Sequence, residues 1–218
     1  MDKNLSYYDQ LEAFRQPGCS ICRLVERHSR EYLETIFYES VNDPEIRLQL
    51  RNAFGFCAAH AMKAAEIGSP LAIALIYEDI LNALDQEIGR AIRNGRVGMK
   101  GKCPFCEQEH QMEIRLTRAL AASIEEEAMQ TAFKSSEGLC ARHLIKLLSA
   151  TSPDIRQFVG ESERGKIRAL RAELKELIRK NDYRFAKETI GEEGDSWLRA
   201  LRKTAGHFIE RKGKSLTG

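Results

Sequence analysis

The chain has 218 residues, 43% of them apolar, with 34 basic and 32 acidic side chains and a formal charge of +2. That suffices for a buried core, as one large domain or two small ones, and the charge balance points neither to nucleic acid nor to an anionic membrane. The opening Met1-Asp2-Lys3-Asn4-Leu5-Ser6 forms no apolar signal-peptide core, and the longest apolar run, Leu71 to Tyr77, is far short of a bilayer span. A soluble, cytoplasmic protein is expected, in which six cysteines read as reduced metal ligands before they read as three disulfides.

The elements that follow are helical, and no period-two strand stands out. Leu5, Tyr8, Leu11 and Phe14 space a short opening helix that Pro17-Gly18 ends. A longer helix runs from Cys19–Ser20 to about Ser40, with Ile21, Leu24, Val25, His28, Tyr32, Ile36 and Phe37 as its apolar side. Asp43-Pro44 pairs an N-cap with a proline suited to a first turn and starts a helix towards Phe54. Gly55 breaks the chain just before Cys57. Ser69-Pro70 opens a helix in which Ile73, Ile76, Tyr77, Ile80, Leu84, Ile88 and Ile92 keep core spacing.

Asn94 to Lys102, rich in glycine and lysine, reads as a linker, after which the order repeats. CxxC stands at a helix start, an acidic helix passes Glu125 to Phe133, Gly138 precedes CxxH, and Ser152-Pro153-Asp154 opens a last long helix. That helix is expected to turn Ile155, Phe158, Ile167, Leu170, Leu174, Leu177 and Ile178 inward. Gly191 and Gly194 set off an amphipathic helix with Trp197, Leu198, Leu201, Phe208 and Ile209. The fold class is therefore all-α and internally duplicated, two metal-clamped lobes with a C-terminal amphipathic helix. Its expected divisions are a first repeat over 1–94, a second over 103–190 and a C-terminal helix and tail over 191–218.

Two copies of one cysteine–histidine pattern carry this duplication and use every cysteine. Cys19-Ser20-Ile21-Cys22 is followed after 34 residues by Cys57-Ala58-Ala59-His60, and Cys103-Pro104-Phe105-Cys106 after 33 by Cys140-Ala141-Arg142-His143. Positions i and i+3 share a helix face, so each motif offers two ligands from one turn. Free N–H groups and the positive end of the dipole stabilise thiolate at a helix start. Two such starts facing one another make a tetrahedral cage of three thiolates and one imidazole, the donor set of structural zinc. Chain proximity favours pairing within a copy: Cys19, Cys22, Cys57 and His60 on one ion, Cys103, Cys106, Cys140 and His143 on the other. The alternative joins the CxxC of one copy to the CxxH of the other. Each site would carry a formal charge of −1, with Arg23, Lys102 and Arg142 as candidates to balance it.

An iron–sulfur cluster is the rival occupant of the same donors, although cluster signatures bunch their cysteines more closely. Glu107-Gln108-Glu109-His110 contains an ExxH without the second copy a di-iron bundle needs, so it reads as a solvated face, with His110 near enough to the second CxxC to support the metal. His28 and His207 have no partner at ligand spacing. The stretch from Arg164 to Lys187 interleaves basic and acidic residues and reads as a charged solvent face rather than a nucleic-acid surface. Nothing resembles a nucleophile elbow, an HExxH or a dinucleotide fingerprint.

As a set, Cys-x-x-Cys, Gly-x-Cys-x-x-His, Cys-Pro-x-Cys and a second Gly-x-Cys-x-x-His resemble an uncharacterised prokaryotic family of two-repeat cysteine–histidine proteins. Some of its members carry a transporter substrate-binding label. The resemblance runs from Cys19 to the helix at Trp197, and departs from the pattern where Ser20 stands in the place that Pro104 holds. It implies the ligand assignment and no activity. The reading is of a non-enzymatic, two-zinc helical protein that binds or regulates an unknown protein partner, without a membrane. An iron–sulfur electron-transfer or redox-sensing protein on the same ligands is the alternative, and a thiol sensor that ejects zinc on oxidation is a third possibility.

Overall fold

A computed structural model of the chain describes residues 5–96, 98, 101–185 and 187–206. Among the described residues there are ten α-helices, two short 3₁₀ turns at Tyr183–Phe185 and Glu192–Asp195, and no strand. The helices are α1 (Leu5–Phe14), α2 (Ser20–Tyr38), α3 (Pro44–Asn52), α4 (Ala58–Ile67), α5 (Pro70–Asn94), α6 (Pro104–Ser123), α7 (Glu127–Ser135), α8 (Ala141–Ala150), α9 (Pro153–Lys180) and α10 (Ser196–Ala205). Start signals act where the sequence places them. The Asp43 carboxylate accepts from the N–H groups of Glu45 and Ile46 at 2.9 and 3.0 Å, and Ser69 Oγ accepts from Ala72 at 3.2 Å. His207, Phe208 and Ile209 lie outside the described residues.

The chain forms two compact units whose boundaries fall inside helices rather than in the linker. One comprises Met1–Leu24 with Arg115–Gly218, the other Val25–Ile114. The first turns of α2 and α6 therefore belong to a different unit from the remainder of each helix. In the first unit Phe14 meets Phe133 edge-on at 5.7 Å, among Leu120, Met129, Leu139, Leu147 and Val159, all without solvent exposure except Phe14 at 3%. In the second, Leu33, Ile36, Phe37, Leu50, Ile76, Ile80 and Phe105 form the core.

Two helices outrun the cores they serve. On α5 Ile76 and Ile80 are buried, but Ile88 and Ile92 are 48% and 80% exposed, contrary to their expected inward face. On α9 the buried positions are Ile155, Val159 and Glu163, while Ile167 and Ile178 face solvent. Helical periodicity marks a stripe that can be buried; whether it is buried depends on a neighbour long enough to cover it.

Candidate metal centres

Each of the four motifs begins on the residue just before a helix. Cys19, Cys57, Cys103 and Cys140 precede α2, α4, α6 and α8, and Cys22, His60, Cys106 and His143 lie in the first turns. Gly18, Gly55 and Gly138 take left-handed φ values of 85°, 98° and 82°, which aim the chain into those starts. The third residue of each CxxC anchors the turn in a core. Ile21 is fully buried and Phe105 is 1% exposed, with the Phe105 ring 5.0 Å from Phe56 and 5.7 Å from His60.

The motifs meet across the copies. Cys19, Cys22, Cys140 and His143 form one group, and Cys57, His60, Cys103 and Cys106 the other, each with its donor atoms within 4.8 Å of one another. In the first, His143 Nδ1 is 3.4, 3.3 and 3.2 Å from the sulfurs of Cys19, Cys22 and Cys140, and Cys22 Sγ is 3.7 Å from Cys140 Sγ. In the second, His60 Nδ1 is 3.1, 3.6 and 3.5 Å from Cys57, Cys103 and Cys106, and Cys57 Sγ is 3.5 Å from Cys106 Sγ. The expected pairing within a copy is thus corrected, because the two motifs of a copy fall in different units. α2 carries its CxxC end, through Leu24, into the unit formed with Arg115–Gly218, whereas the CxxH of the same copy starts α4 inside Val25–Ile114. α3, about 13 Å long, does not by itself retrace the about 28 Å of α2. Each unit takes CxxC from one copy and CxxH from the other.

Each donor set offers the ligand atoms for one cation. Burial and the neighbouring thiols Cys140 and Cys22 hold the Cys19 thiol well above its ordinary value. The Cys140 thiol, bonded by Cys19, Cys22 and His143, is held far below. In the other group burial, Cys57 and Cys103 push Cys106 up to about 12. Cys103 falls to about 6, because His60 and the backbone N–H groups of Cys57, Cys106 and Phe105 outweigh its burial. Burial opposes the charged form of both histidines, but Cys103, Glu109 and Cys57 raise His60 to about 10, and Cys140 and Cys22 raise His143 to about 9. Crowded thiolates ionise at one another's expense, and a divalent ion removes the conflict.

Further side chains brace the groups. His60 Nε2 lies 3.0 Å from Glu109 Oε1, which also takes Lys63 Nζ at 2.8 Å, and Lys63 reaches Glu26 at 2.6 Å. Opposed by burial but favoured by His60, Lys63 and Ser29, Glu109 is held down at about 2. Thus Glu109, expected on a solvated face, lies against the imidazole, whereas His110 is exposed and faces Glu113 at 4.0 Å. His28 lies 3.3 Å from Glu31. In the other group the fully buried Glu163 of α9 accepts the Leu139 N–H at 2.8 Å, beside Cys140, and pairs with Lys203 of α10. Glu163 was not legible as part of a site, because it lies on α9, outside both motifs. Of the expected balancing charges, Arg23 donates to the Pro17 carbonyl, and Lys102 and Arg142 are exposed. A cavity of about 200 Å³ beside Cys19 and Cys140 is lined by Lys166, Arg199, Arg202 and Lys203. Glu173 and Glu163 already pair with Arg199 and Lys203 there.

Fold and donors together define an all-helical protein with two three-cysteine, one-histidine groups, each built from both copies of a duplicated pattern. The family described as "Family of unknown function (DUF6062)" matches residues 1–101 and again residues 90–211, and the chain belongs to this family. A relative from Caldicellulosiruptor sp. (strain Rt8B.4), described as "Uncharacterized 23.9 kDa protein in xynA 3'region", is 31% identical over 178 residues. That alignment covers 80% of this chain and 87% of the relative. No solved structure matches the chain.

Proposed function

We propose that each donor set holds one zinc ion as a structural clamp, and that the protein is a non-enzymatic binding or regulatory module built on the two clamps. The ligands are Cys19, Cys22, Cys140 and His143 for one ion and Cys57, His60, Cys103 and Cys106 for the other. The size of the donor groups carries this reading. With Zn–S near 2.3 Å and Zn–N near 2.0–2.1 Å, a tetrahedron has sulfur–sulfur edges of about 3.8 Å and sulfur–nitrogen edges of about 3.5 Å. Eight of the twelve edges of the two groups run from 3.1 to 3.7 Å, and all twelve lie within 4.8 Å. A cluster places its ligands on more than one iron with sulfides between, which asks for a wider spread.

Three thiolates and an imidazole complete the coordination of zinc and keep no position for a substrate water, which supports a structural role over a catalytic one. A protein partner is supported by the exposed apolar side chains of α5, where Leu71, Leu81 and Ile92 are 71%, 58% and 80% exposed. Reduced thiol ligands suit the cytoplasm, and no helix among the described residues is long and apolar enough to cross a membrane. Elemental mass spectrometry on the full-length protein tests the reading. Two zinc ions per chain in a colourless protein is the expected result, and iron with acid-labile sulfide overturns it.

A further inference from the structure

The two groups differ in how far their sulfurs are withdrawn from solvent. Cys19, Cys22 and Cys140 are 6%, 8% and 1% exposed, and His143 is fully buried. Gly206, which ends α10 with φ of 90°, lays its backbone on this group. A Cβ there would stand 3.0 Å from Cys22 Sγ and 3.6 Å from Cys140 Sγ. In the other group Cys57 and Cys103 are half-buried and Cys106 is exposed, and the 3.5 Å contact between the Cys57 and Cys106 sulfurs lies at the surface. The difference follows from chain order. The second copy is followed by α10 and Gly206, whereas α5 of the first leads only to the linker before Cys103.

We propose that the group of Cys57, His60, Cys103 and Cys106 is a modification site for hydroperoxides, at which Cys106 is oxidised and then joined to Cys57, while the buried group is a permanent clamp. The inference rests on the metal reading above. In the first step Cys106, which is deprotonated when it serves as a metal ligand, attacks a peroxide oxygen with its sulfur; the O–O bond breaks, the alkoxide or hydroxide leaves and takes a proton from water, and Cys106 becomes a sulfenic acid. In the second the Cys57 thiolate attacks that sulfur. An S–S bond forms, the S–O bond breaks, and hydroxide leaves and is protonated to water. Two thiolates give up two electrons to the O–O bond, so the hydroperoxide is the only oxidant needed.

The two sulfurs must close from 3.5 Å to about 2.0 Å, a shift that side-chain rotation and a small backbone adjustment supply. Loss of two of four donors releases the ion. The pairs of Lys63 with Glu26 and Glu109 still tie α2, α4 and α6 together without any sulfur, so the second unit keeps a frame after the ion leaves.

The test is a hydrogen peroxide titration of the full-length protein, with metal content measured first. Released zinc is followed with a chromogenic chelator, and linked cysteines are identified by peptide mapping. The expected course is loss of one zinc per chain with a Cys57–Cys106 linkage. Cys19, Cys22 and Cys140 should react at least about tenfold more slowly, because reagent reaches them only through local opening. Simultaneous loss of both ions, earlier oxidation at Cys19, Cys22 or Cys140, or a Cys103–Cys106 linkage overturns the proposal. Absence of zinc at the outset counts against the function proposed above, and the order of cysteine oxidation still decides this one.

Discussion

Replacing Gly138 by alanine tests how the buried group is held in place. Gly138 has φ of 82°, and a Cβ there would lie 2.0 Å from Glu163 Oε1 and 2.7 Å from Cδ. A non-glycine residue in the left-handed region costs about 1–2 kcal/mol by itself. The carboxylate cannot swing into solvent, since Glu163 is 1% exposed and is bonded to the Leu139 N–H and to Lys203. Giving up a hydrogen bond to that charged group adds about 1.5–3 kcal/mol, so the total is about 2.5–5 kcal/mol. Gly18→Ala is the control in the same unit: φ is 85° with nothing within 4 Å, and only the backbone cost applies. Urea unfolding followed by fluorescence of Trp197, the single tryptophan, on α10 of that unit, reads both variants. In a Gly138→Ala/Glu163→Ala protein the two losses should be clearly sub-additive, because the second change removes the clash. If Gly138→Ala costs no more than Gly18→Ala, Glu163 does not hold the Cys140 loop as described.

Cys57→Ser should expose Cys103 and Cys106 to alkylation and leave Cys19, Cys22 and Cys140 protected; mass spectrometry showing Cys19 and Cys22 newly labelled instead would restore pairing within a copy. Asp79→Asn should cost about 1.5–3 kcal/mol at neutral pH, because Asp79 Oδ2 takes Arg47 Nε at 3.0 Å and Arg51 at 2.7 Å across α3 and α5. Burial opposes ionisation of Asp79, but the two guanidiniums hold its carboxyl below the usual range. Its contribution is therefore present above the unfolded value, and is lost as pH falls from there through the lowered folded value. Urea midpoints of wild type and variant should converge on acidification, and a gap that persists in acid argues against the linkage.

What the sequence made legible was local. The CxxC and CxxH spacings, the glycines ahead of three of them, and caps such as Asp43 and Ser69 each act within a few residues, where backbone geometry alone decides. The eight donor residues gather into two groups of three cysteines and one histidine, but crossed between the copies rather than within them. Three features were hidden, each for want of a distance between remote elements. The pairing depends on which unit each end of α2 and α6 joins, and no local signal marks that in the sequence. The bracing by Glu109 depends on which face of α6 meets α4, and ExxH spacing cannot say which of its members turns inward. Glu163 sits on the apolar stripe of α9 beside Ile155 and Val159, where a reader of periodicity expects a hydrocarbon; Lys203 and the Leu139 N–H make a carboxylate tolerable there.

Crossed pairing has a consequence for how the duplication can have arisen and what half the chain can do. If each copy closed its own site, residues 1–94 would fold alone with one zinc and be monomeric. With the motifs crossed, a single copy holds a CxxC and a CxxH that belong to different units, and within residues 1–94 neither unit is complete, since one needs Arg115–Gly218 and the other runs on to Ile114. Two copies of the same half can nevertheless satisfy one another, CxxC of each meeting CxxH of the other, in a closed twofold arrangement. Residues 1–94 expressed alone should therefore be unfolded, or be a dimer with two zinc ions per dimer. Mixing with residues 103–218 should yield a one-to-one complex with two ions. Analytical ultracentrifugation with metal analysis distinguishes these outcomes. A folded monomer of residues 1–94 carrying one zinc would refute crossed pairing, and a dimer would point to an ancestor of one repeat that worked as a pair before the copies were joined.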